Sequence, residues 1–536
     1  MFVSVISLHD VKTSLHFLRE LPLVWFFAGC SLASAGLFFS SSSSSPQSRL
    51  VLLRRIAFAA GVLVLVVYVV ISLYSLGCFM VQQDEANILS ISAASLRGLP
   101  VYNPPRTPDS NYSLMYGPFT FLIYRIALIL GGVHHFWVIR ATVVAANLGL
   151  CVTLYALLRK LVSSFTAIAL LTFPISVLLQ HDEISLSARA DIWIMLFAAL
   201  AILCSFIEVE LPAIILTGVM GGILIGLKIS AAPAILFPLL MLYRRFGFRA
   251  PIVSSLIATV CTLIPFALSN ISLHNYISWI LFTRSEGISA ASAFSNILFA
   301  LFLMSPCLLV ELFLLRFGLA FKQRIPEFFV ILFCLFIAVL TSKNGSGPHY
   351  LWHILPSLIV YLALASRNLK ELPLREQGVP PYFIAVACML FAGVNIPRAY
   401  EHLEMALMPP GVKSAQQSID RFLDIYGNHS SIQMGYGSAP GDYRPLLRYI
   451  LIYKGQPYTI EGSPDRFETA LLPFPVNVLN RMGNCKNDVW LVPHSQQPFQ
   501  VWVLPNILRS TFIQNYKIVR SDAMYDAWIC NRSKDH

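Results

Sequence analysis

The sequence predicts an all-α bundle crossing the membrane about 11–12 times, with a C-terminal soluble α/β domain behind it. Three observations lead there. The 536-residue chain is 56% hydrophobic and 12% charged, with a mean hydropathy of +0.68, whereas soluble proteins carry about 25% charged residues. Apolar runs at or near the length that spans a bilayer recur from residue 21 to residue 397. Beyond Pro397 the runs stop, and short β-rich stretches alternate with Pro, Gly and Asn turns.

The spans are expected near 21–39, 57–79, 136–158, 162–180, 191–207, 211–227, 230–243, 250–268, 295–315, 326–341, 350–366 and 381–397. Several fall short of the ~20 residues that a perpendicular span needs, so half-helices or tilted pairs are expected among them. The run 116–131 carries Arg125 inside it and opens on Gly117-Pro118. It reads as a juxtamembrane helix lying in the interface.

Basic residues assign the sides. With Asp84 outside, the inner loops hold Arg49, Arg54, Arg55, Arg159, Lys160, Arg244, Arg245, Arg249, Arg316, Lys322, Arg324, Arg367, Lys370 and Arg375. The outer loops and adjoining helix ends hold Arg97, Arg106, Arg125, Arg140, Arg189, Lys228, Arg284 and Lys343. Fourteen against eight favours Asp84 outside. Inner-loop Lys and Arg also account for the net charge of +11 without a nucleic-acid partner.

Three segments follow. Residues 1–56 hold an additional helix and the Ser40–Ser45 linker, and Asp10, Lys12, Arg19 and Glu20 ahead of the first apolar run argue against a cleavable signal peptide. Residues 57–397 form the membrane domain, with an outer loop over 80–135. Residues 398–536 form an outer-face domain, with strands expected in SSIQMGYG, DVWLVP, FQVWVLP, YKIV and AWIC. Within it Cys485 and Cys530 are open to a disulfide or to two free buried thiols. Asn-x-Ser sequons at Asn111, Asn270, Asn344, Asn428 and Asn531 all fall on the outer side.

The ionisable groups of the membrane domain gather at predicted outer helix ends. They are Asp84, Glu85, Asp182, Glu183, Arg189, Asp191, Lys228, Arg284, Glu286, Lys343, His349, Tyr350 and His353. Charges at a membrane surface are ordinary interfacial anchors or the lining of a shared polar chamber. Asp84 and Glu85 stand out, because two adjacent carboxylates open a polar segment directly after a long apolar run. His349 and His353, at i and i+4, would share a face of an α-helix, and with Asp84 or Asp191 they offer donors for a divalent metal.

The order of these features resembles the GT-C superfamily, the polyprenyl-phosphate-sugar-dependent glycosyltransferases that include protein O-mannosyltransferases and lipid A aminoarabinose transferases. Asp84-Glu85-Ala86, SLRGLPVY (Ser95–Tyr102) and Tyr116-Gly117-Pro118-Phe119 look like its first outer loop. Arg140 and Arg159-Lys160 bracket a span similar to its next helix, and SARADIWIMLF (Ser187–Phe197) resembles its arginine–aspartate stretch. GLKISAAPAILFPLL (Gly226–Leu240) resembles its lysine-bearing helical break, and GPHYLWHILPSLIVYLA (Gly347–Ala363) its late His-Tyr…Pro helix. The 21–39 helix lies outside that shared core. The YGPF segment lacks the lysine that aminoarabinose transferases carry nearby, which points away from lipid A modification.

The resemblance implies an inverting membrane glycosyltransferase that takes a sugar from a polyprenyl-phosphate donor to an outer-face glycan, lipid or protein acceptor. The chemistry asks for a base and for cations. Asp84 is the expected base, and Glu85, about 100° round a helix, orients a neighbour in the same catalytic pair. Lys228 and His349 first, then Tyr350, Arg189 and Lys343, are expected at the donor phosphate. Tyr102, Tyr116, Arg140 and Asp191 are expected to support the site or meet the acceptor. No cofactor is required by this scheme, with a divalent metal at His349 and His353 as its minor variant. The compartment implied is a bacterial inner membrane with residues 398–536 periplasmic, the ER lumen being the alternative. A secondary transporter or lipid flippase, a polysaccharide polymerase or ligase, and a non-catalytic scaffold are the rival readings. The one-sided clustering of charge and the sizeable outer domain count against a transporter.

Overall fold

The computed structural model describes residues 46–77, 83–104, 116–180, 185–283, 289–316, 335–339, 341–342, 348–368, 411–428, 430–439, 442–457, 476–484, 488–500 and 506–531. The expected span at 381–397, most of that at 326–341 and the additional 21–39 helix lie outside these residues, as do Asp182, Glu183, Arg284, Glu286 and Lys343.

The membrane domain is a bundle of helices. In chain order they are α1 (Pro46–Tyr74), α2 (Gln83–Leu96), α3 (Pro118–Gly131), α4 (Phe136–Arg159), α5 (Ser164–Gln180), α6 (Asp191–Ser205), α7 (Glu210–Leu227), α8 (Leu236–Phe246), α9 (Arg249–Leu263), α10 (Leu273–Thr283), α11 (Ala290–Arg316) and α12 (Leu355–Asn368). Among the described residues five helical stretches are long and apolar enough to cross a bilayer, and five shorter apolar helices accompany them. The protein is therefore an integral-membrane bundle, and one of the shorter helices, Pro118–Gly131, falls on the run expected to form a juxtamembrane helix.

Helix α1 has two apolar faces of different fate. On α1, Val64, Tyr68 and Ile71 are buried while Leu63, Val66, Val70 and Leu73 are exposed. The 3.6-residue period separates a packed face from a lipid-facing one. Helices α7 and α9 approach closely through Gly218 and Gly222, where an added Cβ would lie 2.6 Å from the Ser254 carbonyl oxygen and 2.5 Å from the Cys261 Cβ. Small residues four apart allow such contact inside a membrane, where packing replaces the hydrophobic effect.

Two elements break from this pattern and position the site. Helix α2 is buried along nearly its whole length, with Ser90 and Ser92 donating to carbonyls one turn back. Asp84 and Glu85 occupy its first turn, where the helix dipole favours carboxylates. They open this separate helix and do not close the preceding span. Helix α7 stops at Lys228, whose backbone is extended (φ −164°, ψ 121°), before a 3₁₀ turn (Ile229–Ile235) containing Pro233. The freed Leu227 carbonyl accepts from the Gly117 amide at 2.7 Å and the Thr120 hydroxyl at 2.9 Å. Irregular backbone at membrane depth is tolerated where protein groups satisfy it in this way.

The C-terminal region holds α13 (Val412–Tyr426), β1 (Ser431–Met434), α14 (Arg448–Tyr453), α15 (Val476–Gly483), β2 (Asp488–Pro493), α16 (Asn506–Asn515), β3 (Tyr516–Ser521) and β4 (Tyr525–Cys530). The sheet order is β1-β2-β4-β3, with β1 and β2 parallel and the remaining pairs antiparallel. DVWLVP is buried along its full length, as a central strand should be, while β3 is an exposed edge with an irregularity between Ile518 and Arg520. Four of the five expected strand segments appear. In the fifth, FQVWVLP, Phe499 is in a turn, Gln500 has no regular structure and residues 501–505 lie outside the described set. Cys530 is disulfide-bonded, and its partner also lies outside that set.

Candidate active site

One end of the bundle gathers charge from four stretches of chain. Helix α2 contributes Asp84 and Glu85, the irregular segment before α6 contributes Arg189, and the first turn of α6 contributes Asp191. The break after α7 contributes Lys228, and a 3₁₀ turn (Pro348–Ile354) contributes His349, Tyr350 and His353.

Arg189 is the hub. Its Nη1 lies 3.0 Å from Asp84 Oδ2, its Nε 3.0 Å from Asp191 Oδ2, and its Nη2 3.2 Å from His349 Nε2. Tyr124 donates its hydroxyl to the Arg189 carbonyl at 3.0 Å, fixing the backbone that carries this fork. On the other side of Asp191, Oδ1 faces Lys228 Nζ at 3.6 Å and His353 Nε2 at 3.8 Å. Both distances exceed hydrogen-bond range. Lys228 Nζ, Asp191 Oδ1 and His353 Nε2 are all buried without a hydrogen-bond partner among the described residues. Two aromatic rings flank the ammonium, Tyr350 at 3.8 Å and Tyr116 at 4.9 Å from their centroids. Cation–π contact offsets part of the lost hydration but supplies no acceptor.

The neighbouring carboxylate behaves differently. Glu85 is fully buried and takes both arms of Arg140, at 2.7 and 3.0 Å, together with the Ala188 amide at 2.8 Å. Arg140 also donates to the Leu186 carbonyl. The pair therefore fastens α2 to α4 and to the segment that presents Arg189. The side chain of Asp84 is 22% exposed, whereas those of Glu85 and Asp191 are fully buried. Of these three carboxylates, Asp84 is the one that an incoming molecule can reach. Glu85 is held by Arg140 and the Ala188 amide.

The expected residues otherwise divide into lining and support. Arg189, Asp191, Lys228, His349, Tyr350 and His353 converge. Tyr116 packs on Lys228, and Tyr102 donates to the Tyr116 carbonyl at 2.7 Å, so Tyr102 supports the wall from behind. The equal-face expectation for His349 and His353 assumed an α-helix. The segment is a 3₁₀ turn with three residues per revolution, so positions four apart diverge by about 120°. The two imidazoles meet the network from different sides, His349 at Arg189 and His353 at Asp191. Among the described residues no three His, Cys, Asp or Glu side chains converge to hold a metal ion.

Sequence reading missed how YGPF and the lysine-bearing break meet. A Cβ on Gly117 would fall 2.1 Å from the Gly226 carbonyl oxygen. The loop therefore lies directly on the backbone that turns Lys228 inward, and only glycine allows the approach. The Gly-Pro dipeptide was the available signal, but its partner 109 positions away was not legible.

No family model and no curated protein matches this sequence. Solved structures do. ArnT from Cupriavidus metallidurans bound to undecaprenyl phosphate is similar with a TM-score of 0.56 at 14% identity, covering 88% of this chain and 98% of that one. Its apo form is similar with a TM-score of 0.52 at 16% identity, covering 90% and 98%. A weaker likeness, with a TM-score of 0.42 at 12% identity, is to the oligosaccharyltransferase of Archaeoglobus fulgidus in complex with Zn and sulfate, covering 80% and 68%. The chain has the GT-C fold with a C-terminal sheet domain.

Proposed function

We propose that this protein is an inverting glycosyltransferase that moves a sugar from a polyprenyl-phosphate donor to an acceptor hydroxyl at the outer membrane face. One observation carries the reading. A reachable carboxylate, Asp84, is tied through Arg189 to a buried cationic wall whose Lys228 ammonium has no hydrogen-bond acceptor among the described residues. A buried cation left in that state is an anion site in want of its anion. ArnT from Cupriavidus metallidurans, whose fold is similar, is known bound to undecaprenyl phosphate, whose phosphate has the charge that this wall lacks.

The chemistry follows from the groups present. Asp84 accepts the proton of the acceptor hydroxyl, the oxygen forms a bond to the anomeric carbon, and the bond from that carbon to the phosphate oxygen breaks. The electron pair leaves with the polyprenyl phosphate, where Lys228, Arg189, His349 and Tyr350 meet the charge. Attack opposite the phosphate inverts the anomeric centre. Glu85 and Arg140 hold α2 so that Asp84 faces the wall, and Lys343 lies outside the described residues.

A divalent metal does not fit well beside these residues. Arg189 and Lys228 already flank Asp191, and His349 faces Arg189, so an added dication would meet two fixed positive charges. Chelation by EDTA is expected to leave transfer unchanged. Residues 57–397 form the catalytic unit in this reading, and residues 398–536 cap it on the outer side. A bacterial inner membrane, with the cap periplasmic, is the compartment proposed.

The test is transfer of radiolabelled sugars from polyprenyl phosphate by purified protein, with a membrane extract as acceptor pool. Asp84→Asn, shown first to fold and bind donor normally, is expected to lose about 10²–10⁴-fold in rate, the size of a lost general base. Equal transfer by both proteins would remove Asp84 from the mechanism. Retained undecaprenyl-phosphate binding with no transfer from any donor would favour a flippase.

A further inference from the structure

Three arginines from three different elements grip the start of α2. Arg189, ahead of α6, takes Asp84, and Arg140 of α4 takes Glu85. The third is Arg448, at the first position of α14 in the outer domain, which donates to the Asn87 side-chain oxygen through Nη2 and to the Tyr436 hydroxyl through Nη1. Asn87 is fully buried and Arg448 is 3% exposed, so this is an interior contact spanning 361 positions of sequence.

The rest of α14 follows the same course. Tyr449 donates its hydroxyl to the Val133 carbonyl at 3.1 Å, in the turn that leads into α4. Ile450, Leu451 and Ile452 are buried in the same core cluster as Ile88, Leu89 and Ile91 of α2. At the far end of α2, the Arg97 guanidinium lies 3.2 Å from the position a Cβ on Gly455 would take. A six-residue helix of the outer domain thus lies along the fourteen-residue helix that carries the reachable carboxylate.

We infer that α14 is a brace for the active site, with Arg448 a positioning residue that fixes the first turn of α2 and therefore the direction of Asp84. This deepens the glycosyltransferase reading and rests on it for its effect on rate, while the brace itself can be measured without any reaction. Arg140 and Arg189 anchor the two carboxylates to the membrane bundle. Arg448 supplies the corresponding anchor from outside it, one turn further along α2. A planar guanidinium reaches two acceptors at once, which a lysine ammonium on a flexible stem does not reproduce.

The experiment is hydrogen exchange on the full-length protein in nanodiscs, comparing wild type with Arg448→Met and Asn87→Ala. Peptides from residues 84–96 are followed against peptides from α7 and α9. The brace predicts that exchange in 84–96 quickens by about tenfold or more in either variant while α7 and α9 hold their rates. Unchanged exchange in 84–96, or a rise shared equally by α7 and α9, would overturn it. Transfer kinetics add a readout that general stability does not move. In both variants kcat is expected to fall about tenfold or more with donor KM nearly constant, because the base is misaimed and donor binding is untouched. The double variant should be no slower than the slower single one, since both ends belong to one contact. Arg448→Lys should rescue little. Wild-type kcat in Arg448→Met would also sink the inference. Should wild type transfer nothing from any donor, the glycosyltransferase reading fails and the exchange data alone decide the brace.

Discussion

Glu85–Arg140 and Asp191–Lys228 are both buried opposite charges at the same end of the bundle, yet their surroundings differ. Glu85 receives both arms of Arg140 and a backbone amide, and Arg140 has a carbonyl besides. Asp191 shares one oxygen with Arg189, while its other oxygen and the Lys228 ammonium face each other at 3.6 Å with no hydrogen bond. Buried charge is costly unless its hydrogen bonds are completed. In the function proposed above, a completed pair is architecture, and an incomplete one is a place where a ligand group completes it. The difference teaches which charges to read as scaffold and which as site.

The largest effect expected from this contrast is on stability. Arg140→Leu takes both arms of the guanidinium away from the buried Glu85 carboxylate, and is expected to cost about 3–5 kcal/mol, read as a fall in the thermal unfolding midpoint. Lys228→Met removes a charge whose hydrogen bonds were never complete, and its midpoint should hold or rise. Equal losses from the two variants would erase the distinction between scaffold and site.

Gly117→Ala sharpens the same comparison from the backbone side. The methyl group meets the Gly226 carbonyl at 2.1 Å, so the break after α7 must shift, at about 1–3 kcal/mol. Lys228 moves with it. Undecaprenyl phosphate binding should weaken in this variant while the Glu85–Arg140 region, followed by hydrogen exchange, keeps its protection. Unweakened binding would mean that the wall does not depend on the loop that lies against it.

The smallest effect lies in the outer domain, away from both pairs. Burial pushes the Asp522 carboxyl up, but hydrogen bonds from Ser418 and from the Tyr525 and Met524 amides, with Arg421 nearby, hold it below the usual carboxylate value. A carboxyl depressed by folding stabilises the fold above its unfolded pKa and loses that contribution as pH falls through its folded value. Asp522→Asn should therefore cost about 1 kcal/mol at neutral pH, and its midpoint should converge on wild type in strong acid. A gap that persists in acid would assign the effect to packing.

Much of the membrane fold was legible because span length and side are one-dimensional properties. The apolar runs at 136–158, 211–227 and 250–268 became helices close to the expected limits. Asp84, Arg189, Asp191, Lys228 and His349 were legible as a candidate group because charge at a membrane surface is rare enough to be noticed. Their grouping around Arg189 was not, since residues 84, 189, 228 and 349 meet only through tertiary packing. Arg448 gave no signal at all. It is one basic residue in a polar domain, and its partner Asn87 is an unremarkable amide until the two helices are brought together. The 3₁₀ geometry at Pro348–Ile354 was missed for a local reason, because a His-Tyr-Leu-Trp-His run carries the same residues at either pitch.

The measurement that most directly tests the incomplete pair as a donor site is the affinity of purified protein in nanodiscs for undecaprenyl phosphate. Wild type, Lys228→Met and Asp84→Asn are compared. The reading predicts that Lys228→Met weakens binding by about tenfold or more while Asp84→Asn binds like wild type, because the cation meets the phosphate and the carboxylate meets the acceptor. Equal affinity in all three proteins would contradict it, and would make Lys228 a buried structural charge like Arg140.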